Sequence, residues 1–338
     1  MQVLEYVDLK PFNTMAVAAK ARYFTTIETE NDVREALSWA KEHRVKPFVL
    51  GGGANLLMTT NEVDRLVMRM AIDGLEVVGE TEEVTYVKIG AGMDWHTTVD
   101  RLIEMGYGGL ENLALIPGTV GASVVQNIGA YGTEVAQRVQ EVEVFNPKTQ
   151  EIEAMRAEEC NFAYRHSVFK DVTHADLIVI SVTFALPKCW TPNLSYKELA
   201  NQVEGLEVVT PRAVFDAVVT VRSRKLPDPK VLGSAGSFFK NPVVGHEQFL
   251  ELLEKFPSIV HYDVGGGNQK LAAGWMIDQA GLKGHRVGDA GTYEKQALVL
   301  VNHGDATGEE LWAYAQMVKT KVWDMFGVEL EPEPVILS

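Results

Sequence analysis

Apolar residues recur along the chain with two different periods, and the switch between them divides it. Val33, Ala36, Leu37 and Ala40 take the i, i+3, i+4, i+7 spacing of one helix face, with Asn31 and Asp32 as start signals. Residues 21–27 alternate like a half-buried strand, and residues 46–50 are a short apolar run, so the first seventy residues read strand–helix–strand. From about residue 72 shorter strands take over, at 75–78 and 84–89, with residues 90–93 as their turn. Asp94 can cap a helix running to Met105, with Gly106 as its left-handed stop. Residues 139–145 and 151–155 flank Asn146-Pro-Lys-Thr149, a hairpin signal, and 177–186 form a strongly apolar strand. Thr210-Pro211 opens a helix carrying Val214, Phe215, Val218 and Val221 on one side. Further on, helices are expected around 247–255 and 271–280, and a strand at 295–301. Thr307-Gly-Glu-Glu310 forms a capping box for a long helix closed by Gly327.

Bulk properties narrow the function classes. A length of 338 residues fits about two domains, with three small ones possible. The formal charge of −15 lacks the basic footprint of a nucleic-acid binder and repels anions at long range, so an anionic substrate requires a local Lys/Arg cluster. The run Arg222-Ser-Arg-Lys225 supplies one, and the prolines at 227 and 229 beside it mark a plausible domain boundary. No apolar run approaches the roughly 18 residues of a membrane span. The start lacks the features of a signal peptide, so a cytoplasmic location is expected. Two cysteines without Cys-x-x-Cys spacing and scattered histidines imply neither a disulfide framework nor a metal site.

Three glycine-rich stretches are candidates for chemistry. Gly51-Gly-Gly-Ala-Asn-Leu56 follows a strand, as phosphate loops do, yet it is neither Gly-x-Gly-x-x-Gly nor a P-loop; a phosphate loop and a plain tight turn both remain open. Residues 108–132 hold six glycines among small and apolar residues, which suits backbone wrapped around a flat ligand or a structural turn system. The stretch Gly233-Ser-Ala-Gly-Ser-Phe-Phe-Lys-Asn-Pro242 places the hydroxyl of Ser237 after a glycine and ahead of two aromatic anchors. Arg165, in an aromatic setting, is a candidate anion contact. Glu331 and Glu333 alternate along an extended tail and read as either an exposed acidic end or a catalytic carboxylate.

Together these stretches resemble the UDP-N-acetylenolpyruvoylglucosamine reductases. The resemblance is carried, in order, by residues 9–15, the Gly51 loop, Ile116-Pro-Gly-Thr-Val-Gly-Ala122 and Gln126-Asn-Ile-Gly-Ala-Tyr-Gly132. It continues in Tyr164-Arg-His-Ser167, Lys225-Leu-Pro-Asp-Pro229, Gly236-Ser-Phe-Phe-Lys-Asn-Pro242 and Leu330-Glu-Pro-Glu333. Tyr196 fits the longer form of the family, in which a tyrosine-bearing loop closes over substrate. The resemblance implies an α+β protein: a two-subdomain FAD-binding fold of the vanillyl-alcohol oxidase type over residues 1–71 and 72–225, and a C-terminal α+β substrate-binding domain over 226–338. The tail 328–338 would return to the active site.

What the family implies for chemistry is an NADPH-dependent reduction of UDP-N-acetylglucosamine enolpyruvate to UDP-N-acetylmuramate, by a chain expected to be a monomer and to need neither metal nor nucleic acid nor membrane. Non-covalent FAD would be cradled by Gly51, Gly52, Gly53, Ala54, Asn55 and Leu56 and by Pro117, Gly118, Thr119, Gly121, Ala122, Asn127, Gly129, Ala130 and Tyr131. Reduced flavin would give hydride to the outer carbon of the enolpyruvyl double bond, and Ser237 would protonate the resulting carbanion. Arg165 and Glu333 would flank the carboxylate, Glu333 having to carry a proton to help an anion. Tyr196, Lys225, Asn241, Tyr262 and Gln296 would hold the diphosphate and sugar. The family commonly continues Glu-Val-Arg after its catalytic glutamate, whereas Pro334 follows here, which keeps Glu331 in play beside the favoured Glu333. An oxidase or dehydrogenase of the same flavin fold, and a flavin- or nucleotide-binding protein without turnover, are the competing readings. The Ser237 segment and the acidic tail speak against the first, and the presence of Ser237, Arg165 and Glu333 together against the second.

Overall fold

Strand Val84–Gly90 buries Thr85, Val87 and Ile89 while the residues between them stay partly exposed, so one face of its sheet becomes core and the other remains polar. The sheet belongs to a computed structural model that describes all 338 residues. Its five antiparallel strands run in the order Glu151–Arg156, Val139–Asn146, Ile178–Pro187, Val84–Gly90, Leu75–Glu80. Leu75–Glu80 and Val84–Gly90 are joined through residues 81–83, not through 90–93; the glycines at 90 and 92 instead lead into the next helix, because a Cβ at either would collide with backbone at 71–73. Asp94 caps that helix, Trp95–Glu104, by accepting from the Thr97 N–H.

The chain forms two compact units. The first comprises Met1–Val7, Ala21–Gly52 and Asp64–Arg224. Besides the five-stranded sheet it contains the sheet Leu4–Asp8, Lys20–Ile27, Glu62–Met70, Pro47–Leu50, whose last two strands pair in parallel. Helix Glu30–His43 is fixed by a Thr29/Asp32 capping box and buries Val33, Ala36 and Ala40. Helix Pro211–Lys225 buries the expected Val214, Phe215, Val218 and Val221. All of these side chains join one hydrophobic core with Trp95, Phe145 and Phe184.

The second unit comprises Asp8–Lys20, Gly53–Val63 and Lys225–Ser338. An antiparallel sheet orders Gly233–Ser237, Val299–Asn302, Ala290–Thr292 and Arg286–Val287, and a smaller one orders Val243–Val244, Gln269–Leu271 and His261–Asp263. The strand expected from residue 295 starts only at Val299, since the Val299 N–H first closes a turn on the Gln296 carbonyl. Helix Gly308–Phe326 has the predicted Thr307/Glu310 capping box and a left-handed Gly327. The tail strand Val335–Leu337 pairs in parallel with Leu56–Met58. Phe238 and Phe239 lie wholly inside this unit's core.

Candidate active site

In the second unit the geometry starts from Gly236. Strands Gly233–Ser237 and Val299–Asn302 lose register between Ser234 and Ser237, where three steps on one strand answer two on the other. Gly236 sits at the break with φ of 68°, the left-handed conformation that lets a bulge form without a Cβ penalty. The bulge re-aims Ser237, which stays partly exposed while Phe238 and Phe239 anchor the chain beneath it. The tail then lies antiparallel to this segment: Glu333 N–H donates to Phe238 O at 2.9 Å, and Lys240 N–H to Glu331 O at 2.9 Å. Phe239 and Pro332 form the bridge between them. The two tail glutamates have different surroundings, since Glu331 is exposed and ion-paired with Lys240 at 2.5 Å whereas Glu333 is partly buried. Asn55 fixes the tail from the other side, its Nδ2 donating to the Glu333 carbonyl and its own carbonyl accepting from the Val335 N–H.

Two more residues of this unit converge on the start of helix Ala273–Gln279. The Asn241 side chain accepts from the Ala273 N–H at 3.0 Å, and a Cβ on Gly274 would stand 2.9 Å from Gln296 Oε1. Tyr262 projects from the strand His261–Asp263, half exposed, and Lys225 is exposed at the end of its helix. Gly53, Ala54, Asn55 and Leu56 also belong to this unit, with Gly53 at φ of 61° against the Phe12 carbonyl.

The first unit gathers the other candidates. A Cβ on Gly52 would meet Gly118 Cα at 2.7 Å, and one on Gly51 would meet Thr119 Oγ1 at 2.9 Å, so backbone approaches backbone there. Gly121, which donates its N–H to Ala91 O, is equally tight against Ala91. Pro117 is exposed and Ala122 partly so, beside buried Thr119. Asn127 is fully buried and left-handed; its side chain donates to Glu134 and to the Ala163 carbonyl and accepts from the Ala136 N–H. It thereby fixes the turn through Gly129, Ala130 and Tyr131. Arg165 holds a left-handed φ of 54° in the tight Ala163–His166 turn and donates from Nη2 to the Gly129 carbonyl at 3.1 Å. A non-glycine residue kept there is strained, and such strain concentrates at functional sites. Lys170 secures the turn by donating to the Arg165 carbonyl.

The Tyr196 segment rests on the same turn. Tyr196 meets Tyr131 edge-on, with ring centroids 5.6 Å apart. Asn193 donates to Gly132 O and Thr133 Oγ1 and accepts from the Ser195 N–H, while Asn112 donates both to Tyr131 O and to Asn193 O. Trp190 is fixed by its indole N–H donating to the buried Glu111. Burial pushes the Tyr131 phenol above its usual value, against the opposing charge of Arg222. Asn112, Asn193 and Arg222 were not singled out from sequence; only the basic run at 222–225 gave a signal, because the burial of these groups is decided by residues distant in the chain.

Comparisons with known proteins agree over the chain's full length. The family model for the C-terminal domain of UDP-N-acetylenolpyruvoylglucosamine reductase matches residues 228–337, and an FAD binding domain model matches residues 21–154. A UDP-N-acetylenolpyruvoylglucosamine reductase of Paraburkholderia phymatum is 47% identical over 333 residues, covering 97% of this chain and 96% of that protein. One of Chromobacterium violaceum is 46% identical, covering 98% of each. The crystal structure of the Thermus caldophilus UDP-N-acetylenolpyruvylglucosamine reductase superposes with a TM-score of 0.69 at 25% identity, over 100% of this chain and 98% of that one. The residues present fit FAD on two structural counts. The close backbone approach of Gly52 to Gly118 leaves room only for glycine, as a dinucleotide cradle requires, and a buried guanidinium nitrogen, Arg222 Nε, finds no acceptor in the protein.

Proposed function

The chain belongs to the UDP-N-acetylenolpyruvoylglucosamine reductase family, as an α+β oxidoreductase with an FAD-binding domain that serves peptidoglycan precursor synthesis, and from that premise we propose that it reduces UDP-N-acetylglucosamine enolpyruvate to UDP-N-acetylmuramate at the expense of NADPH. Bound FAD supplies the hydride for the outer carbon of the enolpyruvyl double bond. The residues of this chain then have to manage the electron pair left beside the carboxylate and deliver a proton to it. Ser237 is the donor: its Oγ–H bond breaks and a C–H bond forms at the carbon next to the carboxylate, the serine being reprotonated from solvent. Arg165 compensates the carboxylate's charge, and Glu333 rather than Glu331 is the acidic partner, since Glu331 is committed to Lys240.

Substrate is held by Lys225, Asn241, Gln296, Tyr262 and Tyr196, the lysine meeting the diphosphate as a point charge. FAD is held without a covalent bond by residues 51–56 and 117–131. The observation that carries this reading is the bulge at Gly236, which sets Ser237 one residue from the carbonyl that anchors Glu333. The cytoplasm, where nucleotide sugars and NADPH are at hand, is the proposed location, and a single chain the proposed working unit. Incubating the protein with NADPH and the enolpyruvyl sugar tests the assignment: equimolar NADPH loss and a product two mass units heavier are expected, and NADPH loss with unchanged sugar would contradict it.

A further inference from the structure

Two neighbouring residues at the start of helix Trp95–Glu104 grip one short loop at three points. Buried Trp95 donates its indole N–H to the Leu113 carbonyl at 2.9 Å and its backbone N–H to the Gly118 carbonyl at 3.0 Å. Between those two ends, the Leu115 N–H donates to Nδ1 of His96 at 3.1 Å. The loop leads into Pro117-Gly118-Thr119, part of the stretch that the functional reading assigns to the cofactor, and the inference rests on that reading.

Of the three contacts, the middle one works against strain. Leu115 has a φ of 58°, a conformation that a bulky side chain rarely adopts and that persists only where the surroundings impose it. Ile116 precedes a proline, which confines it to extended backbone, so the direction of entry into Pro117 is decided at Leu115. Because Leu115 is partly exposed, water can take its N–H once the imidazole is gone, and the turn is then free to relax. Accepting that N–H requires a neutral imidazole with its proton on Nε2. The ring lies flat against Phe215, centroids 5.2 Å apart and planes 6° from parallel, so its lone pair has a fixed aim. Charged groups on its own helix and on the elements beside it are engaged with one another or with other partners. Asp94 accepts from Thr97, Asp100 and Asp216 pair with Arg212, and buried Glu111 accepts from Gly109 and Trp190.

We propose that His96 is a positioning residue of the cofactor site. Its Nδ1 lone pair holds Leu115 in the left-handed conformation and so keeps Pro117, Gly118 and Thr119 in the arrangement that receives FAD. The imidazole acts through the backbone of Leu115 and has to touch neither flavin nor substrate. A loop released from the imidazole must be restored before the cofactor binds, and apparent affinity falls with the fraction of molecules that keep the competent arrangement. A neutral hydrogen bond of ordinary net strength changes that fraction by about three- to tenfold.

The test is an FAD titration of the apoprotein, followed by flavin fluorescence, for wild type, His96→Phe, His96→Asn and His96→Leu. Phenylalanine keeps a flat ring against Phe215 and lacks the acceptor, whereas asparagine gives up the ring and keeps an acceptor at the place of Nδ1. Leucine matches asparagine in size and has neither. His96→Phe and His96→Leu are expected to raise the Kd for FAD about three- to tenfold, and His96→Asn to stay within about twofold of wild type. The comparison of asparagine with leucine decides the matter if the phenylalanine variant does not fold. Wild-type affinity in His96→Phe with weakened binding in His96→Asn would overturn the proposal and leave the ring as packing alone. Equal affinity in His96→Asn and His96→Leu, at the wild-type level or below it, would overturn it too, since the acceptor would then not be what acts. A wild-type protein that binds no FAD would instead remove the functional reading itself.

Discussion

Glu333 donates its backbone N–H to the carbonyl oxygen of Phe238 at 2.9 Å, so the last acidic residue of the tail is stitched to the residue that follows Ser237. Ninety-six positions apart in sequence, the proposed proton donor and carboxylate are held by one strand-like pairing, with Phe238 and Phe239 buried beneath it. Preorganisation of this kind fixes a donor without requiring movement at the moment of reaction.

If Ser237 is that donor, Ser237→Ala separates the two half-reactions. Flavin reduction by NADPH should proceed at the wild-type rate, while reoxidation by the enolpyruvyl sugar slows by at least about a hundredfold, the lower range for a general acid. Stopped-flow traces at the flavin band measure both; an unchanged second phase removes Ser237 from the mechanism.

Gly52 offers a test of the cradle. A methyl group there would sit 2.7 Å from Gly118 Cα, a backbone atom that cannot swing aside. Overpacking of this sort costs about 1–3 kcal/mol, so Gly52→Ala should weaken FAD binding by about five- to a hundredfold in a fluorescence titration of the apoprotein. Gly106→Ala gives a control, its Cβ position being open though its backbone is left-handed; FAD affinity equal to wild type in Gly52→Ala would refute the cradle.

Asn193 pins the Tyr196 segment to the Gly132 turn through its side-chain amide. Removing it leaves two acceptors and the Ser195 N–H without their partner, worth about 1–3 kcal/mol. Asn193→Ala is expected to raise the KM for the UDP-sugar roughly tenfold while leaving kcat, flavin content and the NADPH half-reaction in place. A fall in kcat alone would show that the segment acts otherwise.

These tests also separate what the sequence made legible from what it did not. Caps and periodicity announced the helices at Glu30, Trp95 and Gly308 because Thr29/Asp32, Asp94 and Thr307/Glu310 satisfy their own local backbone groups. Ser237 was legible as a serine after glycine ahead of buried aromatics. The membership of residues 8–20 and 53–63 in the second unit was not, since it depends on distant pairings such as Ser234 N–H to Thr14 O and Thr59 N–H to Leu337 O. Arg222 looked like one member of a basic run; its enclosure comes from elements that no local pattern specifies.

Acid stability should report on the polar face of the five-stranded sheet. Although burial pushes the Glu143 carboxyl up, Lys88 at 2.6 Å and the Ser181 hydroxyl at 2.7 Å outweigh it and hold the group below the ordinary glutamate value. A depressed folded pKa gives stability that is present above the unfolded value and lost as pH falls through the folded one. Wild-type Tm should therefore drop more steeply than that of Glu143→Gln below about pH 4.5, the ordinary value for the group; parallel curves would contradict the role of this pair.

The most direct test of the account is an anaerobic visible spectrum taken in two steps on the purified protein, NADPH first and UDP-N-acetylglucosamine enolpyruvate second. The account predicts a yellow protein that bleaches with NADPH and regains its colour with the enolpyruvyl sugar. A protein that bleaches and stays bleached would contradict the substrate, and one that remains colourless after FAD is supplied would contradict the flavin chemistry on which every step depends.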